Sequence, residues 1–379
     1  MATTTVLSGL ELTKWRNEFI REFVRDSGFE PYMGDSPTDI INVMSDLKGD
    51  GYTIRIPLIA RLQSNGVSGN QRLSGAEEKM DQYFQDITWE FYRNAIEVSK
   101  KEREKSAVDL LSVRRPLLKE WSAELIKYQL IDQFHAMSDG VSTFSSATAA
   151  IRNTFITNNA DRVLFGSSIA NGVSNVMATA LGTVSVATGK LTTDVLKLIK
   201  RRARLARPII RPYKSGTSGR EFYVLFAHPL CFRDLKNDTV MINANRDARA
   251  REGSTMDQNP LFQDGDLLYD GVIVREIPEF YQARFGSGVN LNTHLVGVGN
   301  AAIDVGVNFL CGQQALGLVN KQAATPISKS EDDYGYFNGV GVEMAHGISK
   351  LRWNNNAAGA NNTKDLGMAT VYCAATPDT

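Results

Sequence analysis

Four histidines, at 135, 228, 294 and 346, and three cysteines, at 231, 311 and 373, are the side chains of this sequence most suited to metal ligation or nucleophilic chemistry. Such chemistry needs these groups to converge, and its usual marks are H-E-x-x-H, C-x-x-C or a G-x-S-x-G elbow. None of these motifs occurs. His228 precedes Pro229 after an apolar run, which reads as a structural histidine at a strand-to-turn corner. An odd, scattered set of cysteines reads as buried reduced thiols, not as a disulfide framework or a zinc site. Gly297-Val-Gly299-Asn-Ala-Ala302 fits the dinucleotide pattern G-x-G-x-x-G/A. That fingerprint also wants an acidic residue about 20 residues on, for the ribose hydroxyl. After Asp304 the next acid is Glu331, so the match reads as chance among thirty-one glycines. Glu331, Asp332 and Asp333 lack the interleaved Asp-x-Asp of a hard-cation loop and read as an exposed acidic turn. No catalytic residue, cofactor site or metal site is assigned.

One stretch departs from bland charge. Lys200 to Lys214 holds seven basic residues in fifteen, among them Arg201, Arg202, Arg204, Arg207 and Arg211, and no acid lies between Asp194 and Glu221. Three readings stand: a phosphate-facing patch without sequence preference, a subunit seam where Arg meets carboxylates, or a solvated face. No aromatic ladder accompanies it, which disfavours stacking on single strands. The whole chain has 42 basic and 42 acidic residues. Nucleic-acid binders usually carry a basic excess, because phosphate neutralisation supplies most of their affinity. Zero net charge also removes the long-range repulsion between copies, which permits assembly.

The elements that would position these residues begin with an amphipathic helix inside 1–33. Leu12, Trp15, Phe19, Ile20 and Phe23 recur at three- and four-residue spacing, with charged residues between. The breakers Pro31, Gly34 and Pro37 follow, so the helix must dock on the body or on a neighbour. Residues 50–96 read as a long hairpin: Tyr52, Ile54, Ile56 and Leu58 alternate, and Ile87, Trp89, Phe91 and Arg93 return. The connection 63–75 is rich in Gly, Ser and Asn. Such strands reach roughly 35–40 Å at about 3.3 Å per residue. A lone hairpin is marginal in water, so it needs a partner.

Leu117, Trp121, Leu125 and Tyr128, reinforced by Leu118, Ile131 and Phe134, predict a long helix over 97–137, kinked or restarted at Pro116. Periodicity is weak over 138–190. Thr192-Thr193-Asp194 starts a helix running to Leu205. Apolar or alternating runs at 222–226, 271–274, 288–297 and 305–309 predict strands, and 369–373 a last one after the Asn-rich stretch from 354. No apolar run of 18 residues occurs, so no membrane span is expected. The N-terminus does not read as a secretory signal, so synthesis and folding in a cytoplasm are expected.

Seen in order, some short motifs are specific as a set. Arg211-Pro212, Tyr223-Val-Leu-Phe226, His228-Pro229, Asn259-Pro260-Leu-Phe262 and Tyr269-Asp-Gly271-Val-Ile273 come first. Gly312-Gln-Gln-Ala-Leu316, Asp333-Tyr-Gly335 and Gly347-Ile-Ser-Lys350 follow. In this order and at these distances they resemble the phage N4-like family of major capsid proteins of tailed bacteriophages. A long hairpin followed by a long helix also resembles the Hong Kong 97 capsid fold. The resemblance covers most of 10–136 and 206–353, and matches 138–200 and the tail only loosely.

The resemblance implies an α+β fold with an N-terminal arm at 1–45 and an extended β-hairpin loop at 46–97. A peripheral domain with the spine helix would cover 98–235 and an axial domain 236–340, with 341–379 returning to the peripheral domain and ending as a tail. It implies a non-enzymatic protein without cofactors that self-assembles as pentamers and hexamers into an icosahedral shell. The shell would enclose double-stranded DNA held without specificity. Scaffolding, portal and decoration proteins are implied partners, and no membrane is. The chain starts almost at the arm, so scaffolding is expected as a separate protein. Its place would be the virion capsid, assembled in the bacterial host cytoplasm. The residues expected to make contacts are Gly66, Gly69, Arg72 and Gly75 at the loop tip, and Leu12, Trp15, Phe19 and Phe23 on the arm. Arg201, Arg202, Arg204, Arg207 and Arg211 of the basic segment are expected to meet a subunit or DNA. The alternatives are a shell protein of a cellular, encapsulin-like nanocompartment and, more remotely, a nucleotide-dependent enzyme using 297–302.

Overall fold

The computed structural model describes residues 28–45, 51–59, 62, 64–80, 82–105, 110–166, 174–215, 220–244, 262–263, 266–280, 303–328, 336–353 and 364–376. The first elements are β1 (Met33–Gly34), β2 (Ile41–Met44), β3 (Thr53–Ile59), β4 (Gln82–Thr88), β5 (Glu90–Ser99), α1 (Lys100–Lys105) and α2 (Leu110–Phe134). Then come α3 (Ala149–Asn158), β6 (Val163–Phe165), α4 (Met177–Leu181), α5 (Thr193–Leu205), β7 (Tyr213–Ser215), β8 (Arg220–Ala227) and α6 (Pro229–Lys236). The last are β9 (Phe262–Gln263), β10 (Asp266–Tyr269), β11 (Val272–Glu276), β12 (Val305–Cys311), β13 (Leu316–Ser328), β14 (Phe337–Lys350), β15 (Arg352–Trp353), β16 (Lys364–Asp365) and β17 (Met368–Ala374). Two compact units result. One takes the described parts of 91–126 and 322–345, the other those of 28–90, 127–321 and 346–379.

The larger unit is organised by a mixed sheet in the order β6-β17-β12-β8-β11-β10-β9, with β7 also on β8. Its central strands are the apolar runs visible in the sequence, and every residue of β12 and β17 is buried. A strand covered on both faces reads as a continuous apolar run, not an alternating one. Helix α5 lays Val195, Leu196, Leu198, Ile199 and Ala203 into the same core, with Arg202 and Arg204 in its last turn. Beside it Phe29, Phe134, Phe226 and Phe309 form an aromatic cluster with ring centroids 5.0–5.7 Å apart. Each ring is fully buried, and burying a Phe is worth about 1.5–3 kcal/mol relative to leaving it exposed.

In the smaller unit β5 alternates exposed and half-buried residues. The Lys100 N–H donates to the Tyr336 carbonyl at 2.9 Å, and the buried Arg114 donates to the Asn338 carbonyl at 2.7 Å. In the larger unit β1 pairs in parallel with β2, and β2 in parallel with the start of β13, Ile41 with Leu316 through Met44 with Val319.

Three expectations change. Helix α2 does not restart at Pro116, because a proline in the second turn removes a single hydrogen bond and the packed residues downstream hold the helix. Its buried line passes through Leu118, Ser122 and Leu125, leaving Leu117 exposed. The return strand of the hairpin is two strands: β4 pairs with β3, whereas β5, holding Phe91 and Arg93, has β14 as its neighbour. The change of partner follows Gly347, where a Cβ would collide with the Thr88 carbonyl. The amphipathic segment at 1–27, the run at 288–297 and the Asn-rich stretch at 354–362 lie outside the described residues.

Candidate assembly surfaces

The hairpin pairs Thr53 with Thr88 through to Ile59 with Gln82, seven residues on each side. Arg55 and Asp86 face one another in this register, and the guanidinium donates to both carboxylate oxygens at 2.8 and 2.9 Å. It also lies 3.9 Å above the Phe84 ring centroid. The bidentate pair holds Asp86 below the usual carboxylate range and fixes register, although at the surface such a pair adds little stability. At the base, Tyr52 stacks on Trp89 with centroids 5.3 Å apart, and the indole N–H donates to the Gly51 carbonyl at 2.8 Å.

Beyond the ladder, the Ser64 N–H donates to Glu78 across the connection at 2.8 Å, and the Gly75 N–H donates to Glu77 at 2.7 Å. Gly66, Gly69 and Gly75 have φ of +69°, +65° and +91°, with open space where a Cβ would stand. These glycines answer a backbone requirement and not a packing one. Arg72 is exposed among them, as are Leu73 and Met80. The tip therefore presents apolar groups on a turn with no core beneath it.

One buried polar knot, which sequence reasoning missed, ties the hairpin to the rest of the larger unit, of which it is a part. Gln85 on β4 donates from Nε2 to the Lys350 carbonyl at 2.5 Å and accepts from the Arg352 N–H at 2.7 Å. A side chain thus supplies the bond pair a neighbouring strand would make. Lys350 is itself buried, with Nζ 2.9 Å from the Ala136 carbonyl and 3.4 Å from Asp365. Burial pushes its ammonium below its ordinary range, and Asp365 partly offsets this. Arg352 donates to the carbonyls of Met137 and Ser138, Arg162 to that of Asp365, and the Asp365 N–H to Asn159 at 2.9 Å. The members span 85 to 365 in sequence, so no spacing rule could have collected them.

The basic segment falls on the last turn of α5 and the chain after it. Arg201, Arg204, Arg207 and Arg211 are exposed and Arg202 half-buried, while Lys200 pairs with Asp270 at 2.9 Å. The arm residues Leu12, Trp15, Phe19 and Phe23 lie outside the described residues, as do the glycine motif at 297–302 and the acids at 331–333. Among the described residues no group of three or more His, Cys, Asp or Glu converges as metal ligands would. His228 caps α6, its Nδ1 accepting from the Leu230 N–H at 3.3 Å. All three cysteines are buried and free. Two of them meet, which their spacing did not suggest: the Cys231 sulfur rests over Gly306, whose cross-strand partner is Cys373. The hydrogen bond with Cys373 and the nearness of His228 lower the Cys231 thiol from its ordinary range against the effect of burial.

A hairpin tip without a core beneath it and an exposed basic corner describe surfaces for other chains. The sequence profile of phage capsid proteins matches residues 3–377. The chain belongs to the phage capsid protein family. It is a structural protein of a phage shell, and the virion is its place. This capsid protein is 26% identical over 384 residues to the major capsid protein of Pseudomonas phage KPP25, covering 97% of this chain and 96% of that one. It is similar to the chain in the cyanophage Pam1 capsid asymmetric unit, at 30% identity and TM-score 0.83, with both chains fully covered. The capsid of Ralstonia phage GP4, at 19% identity and TM-score 0.70 over the whole of both chains, shares the fold. The α+β architecture, with hairpin followed by long helix, is therefore that of phage capsid proteins, as the Hong Kong 97 resemblance implied.

Proposed function

We propose that this chain is a major capsid protein that assembles as pentamers and hexamers into an icosahedral shell around double-stranded phage DNA. The observation that carries the reading is the match along the whole chain to phage capsid proteins, joined to a hairpin whose tip has no core of its own. Closed rings make many modest contacts cooperative, so no single interface need be strong.

In this reading 1–45 is the arm, 46–97 the extended loop and α2 the spine of a peripheral domain at 98–235. Residues 236–340 form the axial domain, and 341–379 return to the peripheral domain and end as a tail. The boundary at 235 is one of assembly role, since β8 before it hydrogen-bonds to β11 and β12 after it. Gly66, Gly69, Arg72 and Gly75 shape the loop tip that reaches a neighbour, and Leu12, Trp15, Phe19 and Phe23 give the arm its contact face. Arg201, Arg202, Arg204, Arg207 and Arg211 meet a subunit or DNA. The protein performs no catalysis. Assembly takes place in the bacterial host cytoplasm, with scaffolding, portal and decoration proteins as partners. The ordered short motifs favour the N4-like branch.

Removing 64–75 tests the reading. The shortened chain is expected to stay soluble and folded and to build no shells; shells at normal yield from it would overturn the role given to the hairpin.

A further inference from the structure

We propose that the corner closing α5, residues 201–211, is a seam against a second copy of this chain and not a seat for DNA, an inference that rests on the shell reading. The backbone of the corner is anchored from several sides. The Arg207 N–H donates to Asp161 at 2.9 Å, Arg162 donates to the Pro208 carbonyl at 3.0 Å, and the Tyr223 hydroxyl donates to the Ile210 carbonyl at 3.0 Å. The Ile210 N–H donates to the Ala203 carbonyl at 3.2 Å, and the Gln313 N–H to the Arg211 carbonyl at 2.8 Å. Ala203, Ala206 and Ile210 point inward and are buried.

On this fixed frame Leu205 and Ile209 stand out to solvent, 67% and 53% exposed. The guanidinium groups of Arg201, Arg202, Arg207 and Arg211 have neither ion pair nor hydrogen bond among the described residues, whereas Arg204 reaches the Tyr223 hydroxyl. Phosphate contacts call for cations and hydrogen-bond donors. They give no reason to hold two large aliphatic side chains in water among the arginines. Aliphatic groups bordered by Arg are the composition of a protein interface. A frame that is already rigid loses little freedom when it docks.

Charge names the partner. Residues 195–220 hold nine basic groups and no acid. Since the chain has 42 of each sign, the remainder keeps 33 basic against 42 acidic, a net charge of −9. A second copy thus carries a net negative charge outside its own basic stretch, and complementarity of this kind steers association.

The test uses the full chain, expressed so that shells form. In one arm, Leu205→Cys carries a photoreactive label in assembled particles, and crosslinked peptides are read by mass spectrometry. Crosslinks to a second copy are expected; crosslinks to DNA alone, or none, would overturn the seam. In the other arm, Leu205→Ser with Ile209→Ser is expected to keep its circular dichroism and melting temperature and to lower shell yield at least tenfold. Shells at wild-type yield, with only DNA retention altered, would also overturn it. Both arms are read against the unaltered chain. If that chain forms no shells, the shell reading itself fails, and the seam with it.

Discussion

Gln85→Ala should loosen the hairpin from the strands it packs on within the larger unit, and the geometry sets the size of the effect. Gln85 is buried and bonds to the Lys350 carbonyl and the Arg352 N–H at 2.5 and 2.7 Å. Truncation leaves both backbone groups without these partners, at about 1–3 kcal/mol for each buried group left unsatisfied. Some water enters the gap and the side chain regains freedom, so a net loss of about 2–4 kcal/mol is expected, near the low end of the summed penalties. Gln82→Ala is the control, because Gln82 lies on the same strand and is exposed. Such a surface change costs under about 0.5 kcal/mol. Denaturant unfolding of the unassembled chain should place the Gln85 variant at a lower midpoint than the control. Amide hydrogen exchange should be faster in β3 and β4. Equal midpoints and unchanged hairpin exchange in the two variants would refute the clasp.

Three further outcomes follow from buried groups. His346 bonds to Gln129 at 2.5 Å, and burial lowers its pKa from the usual 6.5 to about 4. The unfolded chain then binds the proton first, so stability is complete above 6.5 and declines as pH falls toward 4, by about 3 kcal/mol in all. His346→Gln should flatten that window, and identical pH profiles for variant and parent would contradict this. Gly347→Ala drives a methyl into the Thr88 carbonyl and should cost about 1–3 kcal/mol or more, read from the unfolding midpoint; a neutral result would mean the strand exchange at 88–90 needs no glycine. Asp365→Asn takes the carboxylate from Lys350 and Arg352, which it meets at 3.4 and 3.5 Å. Breaking a buried pair in this way costs about 3–5 kcal/mol, so a loss below about 0.5 kcal/mol, the range of ordinary surface changes, would remove the knot from the account.

The strands of the large sheet were legible because burial on both faces leaves a signature that survives without neighbours. Tyr223 to Phe226 is such a run and lies within an observed strand, as does Ala369 to Cys373; Val305 to Phe309 reads as an alternating strand, yet every residue of β12 is buried. Helix α5 was legible from its start signal Thr192-Thr193-Asp194: it begins at Thr193, with Asp194 in its first turn, and ends at Leu205. Pattern was less informative where tertiary packing decides. Leu117 and Leu118 fit a stripe equally well, and only the surrounding fold chooses Leu118 for burial. The segment 138–190 hid α3, β6 and α4, which are short and rich in small or polar residues; α3 begins at Thr148, whose hydroxyl caps the Ile151 N–H. The glycines of the loop tip were legible as a turn, and their positive φ values give the reason for them. The knot around Asp365 and the Cys231–Cys373 contact were not, since their members are brought together by the whole chain and lie far apart along it.

Electron microscopy of the purified full-length chain at high concentration tests the central claim most directly. Closed particles of uniform diameter, or rings of five and six copies, are the result expected of a chain whose hairpin and basic corner are covered by sister copies. A monodisperse monomer, with β3 and β4 fully protected from hydrogen exchange, would contradict it.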